Sequence, residues 1–121
     1  MQTLIELEDY CLAKPGTTAT YPFGEGTLVY KVLNRVYGFV GENANPLRIT
    51  LKCDPDDALA LRKQYDAITP GYHTDKKHWN TLVLDGSLPD DLVRELIDHS
   101  YDLVVAKMSQ ARQRQLRSLG K

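Results

Sequence analysis

The densest group of chemically capable side chains lies between residues 70 and 80. This stretch holds two histidines, an aspartate, two lysines, a tyrosine and the only tryptophan of the chain. Its potential metal ligands are His73, Asp75 and His78, and the same histidines could act in acid–base catalysis. Their spacing is not that of a zinc site, and both cysteines are distant in the sequence. We therefore expect no metal or other cofactor, and an enzyme using His73 and His78 is the weakest of three hypotheses.

The lysines and aromatic rings of this stretch favour binding rather than catalysis. Lys76 and Lys77 are adjacent in a predicted loop, where both ammonium groups should reach solvent. Lysine contacts phosphate, and a ring such as Tyr72 or Trp79 can stack on a base, as in nucleic-acid surfaces. An aromatic pair beside a loop is more often the cover of a core edge. The sequence alone allows both interpretations.

A further hypothesis makes the same stretch one wall of a pocket. Its rings and its amide then point into a cleft instead of into solvent: Tyr72, His73, His78, Trp79 and Asn80. The partner would be a small molecule or a peptide. The direction of the Trp79 ring separates the two binding hypotheses, because a ring exposed beside the lysines favours the nucleic-acid surface.

Apolar periodicity predicts the elements that must position these residues. Helices are expected at about 4–13 and 55–64, with a long helix after residue 90 and a short one capped by Ser109. Strands are expected at 28–33, 36–40, 47–53 and 79–84, and Asn34-Arg35 is expected to form a two-residue turn. Residues 17–26 are expected to form an extended segment with turns.

Residues 47–53 alternate between apolar and polar side chains. This pattern is typical of an antiparallel sheet with one buried and one wet face. Arg48, Thr50 and Lys52 then lie on the wet face, where the two cations could extend the patch formed by the lysines of the 70–80 stretch. Cys53 falls on the apolar face, which predicts a buried, inert thiol.

The order of elements predicts one α+β domain over residues 1–121, built as a two-layer structure with an antiparallel sheet and helices packed on one face. The formal net charge is −1, so nucleic-acid binding would require a local basic patch. The chain has no P-loop, dinucleotide-binding or nucleophile-elbow motif. It has no signal peptide pattern and no membrane-spanning apolar run, so we expect a cytoplasmic protein without a membrane partner.

Six short motifs resemble the MmcQ/YjbR family of small bacterial proteins, and the resemblance covers nearly the whole chain. The motifs are YCLAKPG (10–16), LKCDP (51–55), PGYH (70–73), KKHWNT (76–81), LDGSLPD (84–90) and SYDLV (100–104). The resemblance implies a CyaY-like, frataxin-like α+β fold and a non-enzymatic, DNA-binding role through a double-wing surface. In this first hypothesis Lys76 and Lys77 contact phosphate, and Arg48 and Lys52 extend the patch.

Overall fold

The computed structural model describes residues 2–71 and 74–120. Within these ranges the elements are, in chain order, α1 (Leu4–Leu12), β1 (Thr17–Thr20), β2 (Thr27–Val32), β3 (Arg35–Gly41), β4 (Leu47–Lys52), α2 (Pro55–Gln64), β5 (Ile68–Pro70), β6 (Trp79–Leu84), α3 (Asp90–Ala106) and α4 (Gln110–Leu119). The predicted site residues Tyr72 and His73 lie outside the described part of the chain.

The strands form one six-stranded sheet in the order β1-β2-β3-β4-β6-β5, and every neighbouring pair is antiparallel. The helices pack against one face of this sheet, where Tyr30, Tyr37 and Ile49 of the strands meet Leu7 and Ile97 of α1 and α3. The predicted α+β class is confirmed. No helix among the described residues is long and apolar enough to cross a membrane.

Side-chain caps fix the starts of three helices. The Thr3 hydroxyl accepts a hydrogen bond from the backbone N–H of Glu6 (3.2 Å), and the Ser109 hydroxyl accepts one from that of Arg112 (3.2 Å). The Asp54 carboxylate caps α2 in the same way (3.0 Å from the N–H of Asp56). These bonds satisfy N–H groups that have no partner within the helix. The cap predicted at Ser109 is therefore confirmed.

Two short strands and one turn differ from the sequence expectation. Thr17–Thr20 and Ile68–Pro70 are the edge strands β1 and β5; neither carries the alternation that marks a half-buried strand. The turn between β2 and β3 is formed by Leu33 and Asn34, which have φ values of 44° and 71°. Two-residue hairpin turns favour positive φ at both positions, because this matches the twist of the strands. The predicted Asn34-Arg35 turn was therefore wrong by one residue.

Candidate ligand-binding site

The sheet face opposite the helices carries a row of side chains from neighbouring strands. Strand pairing places Val29 opposite Phe39, Phe39 opposite Thr50, and Thr50 opposite Thr81. The Thr50 and Thr81 hydroxyls lie 2.8 Å apart and form a hydrogen bond. Only 4% of Thr50 and 5% of Thr81 is exposed, although both face away from the core. The wet face predicted for β4 is therefore wrong at Thr50.

Two rings form a wall beside this row. The centroids of Phe39 and Trp79 are 6.0 Å apart and their planes are inclined by 45°. Together with Val36 and Val83 these rings enclose a depression of about 790 Å³ on the helix-free side of the sheet. Phe23 also lines this depression, and 81% of its surface is exposed. We call the depression the open-face pocket; its volume lies in the range typical of small-molecule sites.

A second row of paired residues forms the other end of the open-face pocket. Gly41 pairs with Thr27 on one side and with Arg48 on the other, and Arg48 pairs with Val83. Gly41 has no side chain, and a Cβ atom added there would meet only the Ala44 Cβ, at 3.9 Å. The missing side chain leaves this end of the pocket open. Arg48 is exposed and lines the same end.

The turn before Trp79 is held in place by Arg62 of α2. Its Nε group donates to the Asn80 side-chain oxygen (2.7 Å), and its terminal nitrogen donates to the carbonyls of Trp79 (3.2 Å) and Lys76. The Asn80 amide nitrogen donates in turn to the Ala58 carbonyl (3.4 Å). A guanidinium with several carbonyl acceptors fixes the backbone because its donors lie in one rigid plane.

Gly71 lets the start of the turn approach Trp79 closely. The Gly71 N–H donates to the Trp79 carbonyl (2.9 Å). A Cβ atom at Gly71 would lie 2.6 Å from the Trp79 Cβ and would also collide with the Thr74 hydroxyl. Because real Cβ contacts are longer than this, glycine is required at this position for packing. The Pro-Gly pair thus helps to set where the Trp79 ring stands.

The charged residues of the turn are exposed. Lys76 Nζ donates to the Gly71 carbonyl (2.9 Å), and the backbone N–H of Lys77 donates to the Asp75 carboxylate (2.9 Å). The same carboxylate lies 2.6 Å from Nδ1 of His78. These two hydrogen bonds, His78 first, lower the pKa of Asp75 below its ordinary value of 3.8. His78 therefore stabilises the turn and does not line the open-face pocket.

Residues 12–103 match the family model YjbR. The chain belongs to the YjbR family. The Escherichia coli YjbR protein is 38% identical over 103 residues, which cover 85% of this chain and 87% of that protein. The YyaQ protein of Bacillus subtilis is 36% identical over 76 residues, 63% of each chain. The family predicted from the six motifs is therefore confirmed.

The fold of this YjbR-family chain is also found in solved structures. The Deinococcus radiodurans protein DR2400, described as a DUF419 domain, superimposes with a TM-score of 0.91 at 41% identity, covering 96% of this chain and 88% of that one. A Pseudomonas syringae protein superimposes with a TM-score of 0.72 at 27% identity, covering 84% and 97%. The further assignment to a CyaY-like fold stays a prediction.

Two residues predicted for the binding surface, Asn80 and Lys52, do not line the open-face pocket. Asn80 is 2% exposed, and its amide bonds to Arg62 and Ala58, so it points away from the open-face pocket. Lys52 does not line the pocket; burial lowers its pKa, and the neighbouring ammonium of Lys107 lowers it further. Arg48 and Lys52 lie on opposite sides of the Thr50 row, and their extension of the lysine patch stays a prediction.

The cysteine and metal expectations have different outcomes. Cys53 is 4% exposed, which confirms the predicted buried thiol, and burial raises its pKa to about 11. No cluster of three or more histidine, cysteine, aspartate or glutamate side chains suited to a metal occurs in the described part of the chain. His73 lies outside that part, so the His73–Asp75–His78 pattern stays a prediction.

Sequence reasoning missed most of the open-face pocket. Phe39, Val29 and Val83 are apolar residues on the strand positions that an alternating pattern assigns to solvent. Apolar side chains at positions that the pattern assigns to solvent were the available signal. A single exposed apolar side chain is common, but several on one face indicate a site. Arg62 gave no signal, because its role depends on α2 and β6 lying side by side.

Proposed function

We propose that this protein is a binding module that holds a small organic ligand in the open-face pocket. One observation carries the proposal: the helix-free face of the sheet has a depression of about 790 Å³ between Phe39, Trp79 and the threonine row. Small-molecule sites are concave and mostly apolar, with few polar groups. The partner expected from the sequence as an alternative to DNA is thus the one that the geometry supports best.

The test uses a substitution that should block the open-face pocket while the surrounding strands stay folded. Gly41→Leu should fill the Arg48 end, because Gly41 lines this end and an added Cβ atom meets only the Ala44 Cβ, at 3.9 Å. Small aromatic fragments, including 4-phenylbutyramide, are titrated while the emission of Trp79, the only tryptophan, is recorded. We expect at least one fragment to change the emission of the wild type and to lose at least about ten-fold in affinity in Gly41→Leu.

Thr18→Leu is the matched control, since Thr18 is an exposed residue of β1 that does not line the pocket. It should bind the fragments like the wild type. Binding that survives in Gly41→Leu, or a wild type that no fragment affects, would overturn the proposal.

We also propose DNA as a second candidate partner, on the basis of three exposed cations, one in the pocket lining and two in the turn that leads to it. Lys76 and Lys77 are exposed in the turn that leads to Trp79, and Arg48 stands at the other end of the open-face pocket. Aromatic side chains on the open face of an antiparallel sheet stack on unpaired bases, while cations at the rim contact phosphates. The net charge of −1 makes this local set the main source of attraction.

Fluorescence anisotropy with single-stranded and duplex oligonucleotides tests this candidate over a series of salt concentrations. The double substitution Lys76→Ala, Lys77→Ala should weaken binding and reduce the logarithmic salt slope by about two, one per lost phosphate contact. The control Lys63→Ala, Arg117→Ala removes the same charge from exposed helix positions away from the pocket. If both double variants show the same salt slope, Lys76 and Lys77 do not contact the phosphates, and this proposal for them is refuted.

A further inference from the structure

We infer that the open-face pocket selects an elongated organic monoanion, an aromatic or similarly flat apolar body with one carboxylate, and that Arg48 binds the carboxylate. This inference rests on the proposed ligand-binding function and names the class of ligand. The distribution of charge in the pocket lining supports it. Apart from Arg48, the described residues that line the pocket are threonines, apolar aliphatic residues, aromatic residues, glycine, alanine and proline. A ligand with one negative charge matches this lining.

The Arg48 guanidinium is available to such a ligand. Among the described residues, none of the ion pairs involves Arg48. A guanidinium presents parallel N–H groups that fit the two oxygens of a carboxylate. Arg48 can therefore bind a carboxylate without first losing a protein partner.

The register of the sheet sets the length of the ligand. Phe39 pairs with Thr50, two residues along β4 from Arg48, and Trp79 pairs with Lys52, four residues along. At the usual rise per residue these positions lie about 7 Å and about 13 Å from the Arg48 row. An aromatic acid with a spacer between its ring and its carboxylate matches this separation.

The apolar wall restricts the rest of the molecule. Phe39 and Trp79 offer ring surfaces, and the floor consists of Val29 with the paired hydroxyls of Thr50 and Thr81. Those two hydroxyls already bond to each other, so an apolar ligand leaves neither of them without a partner. A second charge on the ligand would lie against this wall, where no described residue of the lining other than Arg48 carries a positive charge, which is unfavourable. The class is therefore a monoanion.

The test compares an acid with its neutral isostere. 4-Phenylbutyrate and 4-phenylbutyramide have nearly the same shape and differ in charge, and both are titrated against the Trp79 emission. The wild type should bind the acid about ten-fold more tightly than the amide. Arg48→Gln should bring the acid to the affinity of the amide and leave the amide unchanged, whereas Arg48→Lys should retain part of the preference. Arg114→Gln, at an exposed position of α4, is the matched control and should behave like the wild type.

The possible outcomes separate this inference from the proposed function. If acid and amide bind equally, and both are blocked by Gly41→Leu, the pocket binds ligands but does not select anions, and the inference is wrong. If Arg48→Gln weakens the amide as much as the acid, Arg48 shapes the pocket and does not bind the charge, which also refutes it. If neither compound affects Trp79 while another fragment does, the inference fails and the proposed function stands; if no fragment affects Trp79, both fail. Loss of the acid preference in Arg48→Gln alone supports both.

Discussion

Arg62 shows how one side chain positions a site from outside it. It belongs to α2 and does not line the open-face pocket, yet it binds the carbonyls of Lys76 and Trp79 and the amide of Asn80. Asn80 is buried, so its side-chain oxygen depends on this donor. A buried acceptor that loses its partner pays the full cost of its desolvation. The turn and the Trp79 ring are therefore coupled to α2.

Arg62→Ala should lower the free energy of unfolding by about 1–3 kcal/mol, because it leaves the Asn80 oxygen and the two carbonyls without their donor. The emission of Trp79 in the folded protein should shift as well. Urea denaturation followed by circular dichroism measures the first effect. Lys63→Ala, the next residue of the same helix and exposed, should change stability by less than about 0.5 kcal/mol. Equal stability of the two variants would contradict this role of Arg62.

At the scale of elements, two glycines at the ends of different strands have opposite functions. Gly71 follows β5 and is packed against Trp79 of β6, where no side chain fits. Gly41 ends β3 and borders the open-face pocket, where a side chain has room. The first glycine closes the contact between the turn and the sheet, and the second leaves the pocket open. Neither effect is visible from the residue type.

Gly71→Ala and Gly41→Ala form a matched pair that tests this difference. Gly71→Ala should cost about 1–3 kcal/mol of stability, because the new methyl group overlaps Trp79 and forces a shift. Gly41→Ala should be neutral or slightly stabilising, since its methyl group meets one atom at 3.9 Å and alanine restricts the unfolded chain. Thermal unfolding of both variants measures the two changes. A Gly41→Ala protein less stable than Gly71→Ala would contradict the packing described here.

At the scale of the whole molecule, one layer of helices and one sheet share a single core. Residues of α1, α3 and α4 pack with β2, β3, β4 and β6 in one continuous cluster that includes Leu7, Ile97 and Leu116. Trp79 lies on the opposite face of the same sheet. Because β4 pairs with β6 along its whole length, the two faces cannot separate without breaking the sheet.

The chain should therefore unfold as one unit. Circular dichroism reports the helices and Trp79 emission reports the open face, and the two probes should give the same urea midpoint. A single domain of this size has no second core that could remain folded. An emission change that precedes the loss of helix by a clear interval would show that the open face unfolds separately, against the prediction of one domain over residues 1–121.

Local signals in the sequence account for much of this fold. The caps at Thr3, Asp54 and Ser109 start α1, α2 and α4, and the alternation of residues 47–53 marks β4, so each signal lies within a single element. The edge strands β1 and β5 were missed because their stability comes from the neighbouring strand and not from their own composition. The candidate stretch at 70–80 was found from its side chains, but Asn80 and His78 were assigned the wrong direction.

The sequence by itself determined the α+β class and the buried thiol of Cys53, and it singled out Trp79 as a candidate site residue. The tertiary structure decided what Trp79 faces. Its ring meets Phe39, and the two stand beside Thr50 and Thr81, which come from other strands. Side chains so distant in the chain share one row only after the strands pair in one register, and a shift by one residue would turn them to the other face. The open-face pocket is thus a product of the register of the sheet, which long-range pairing and the packing of the core select together.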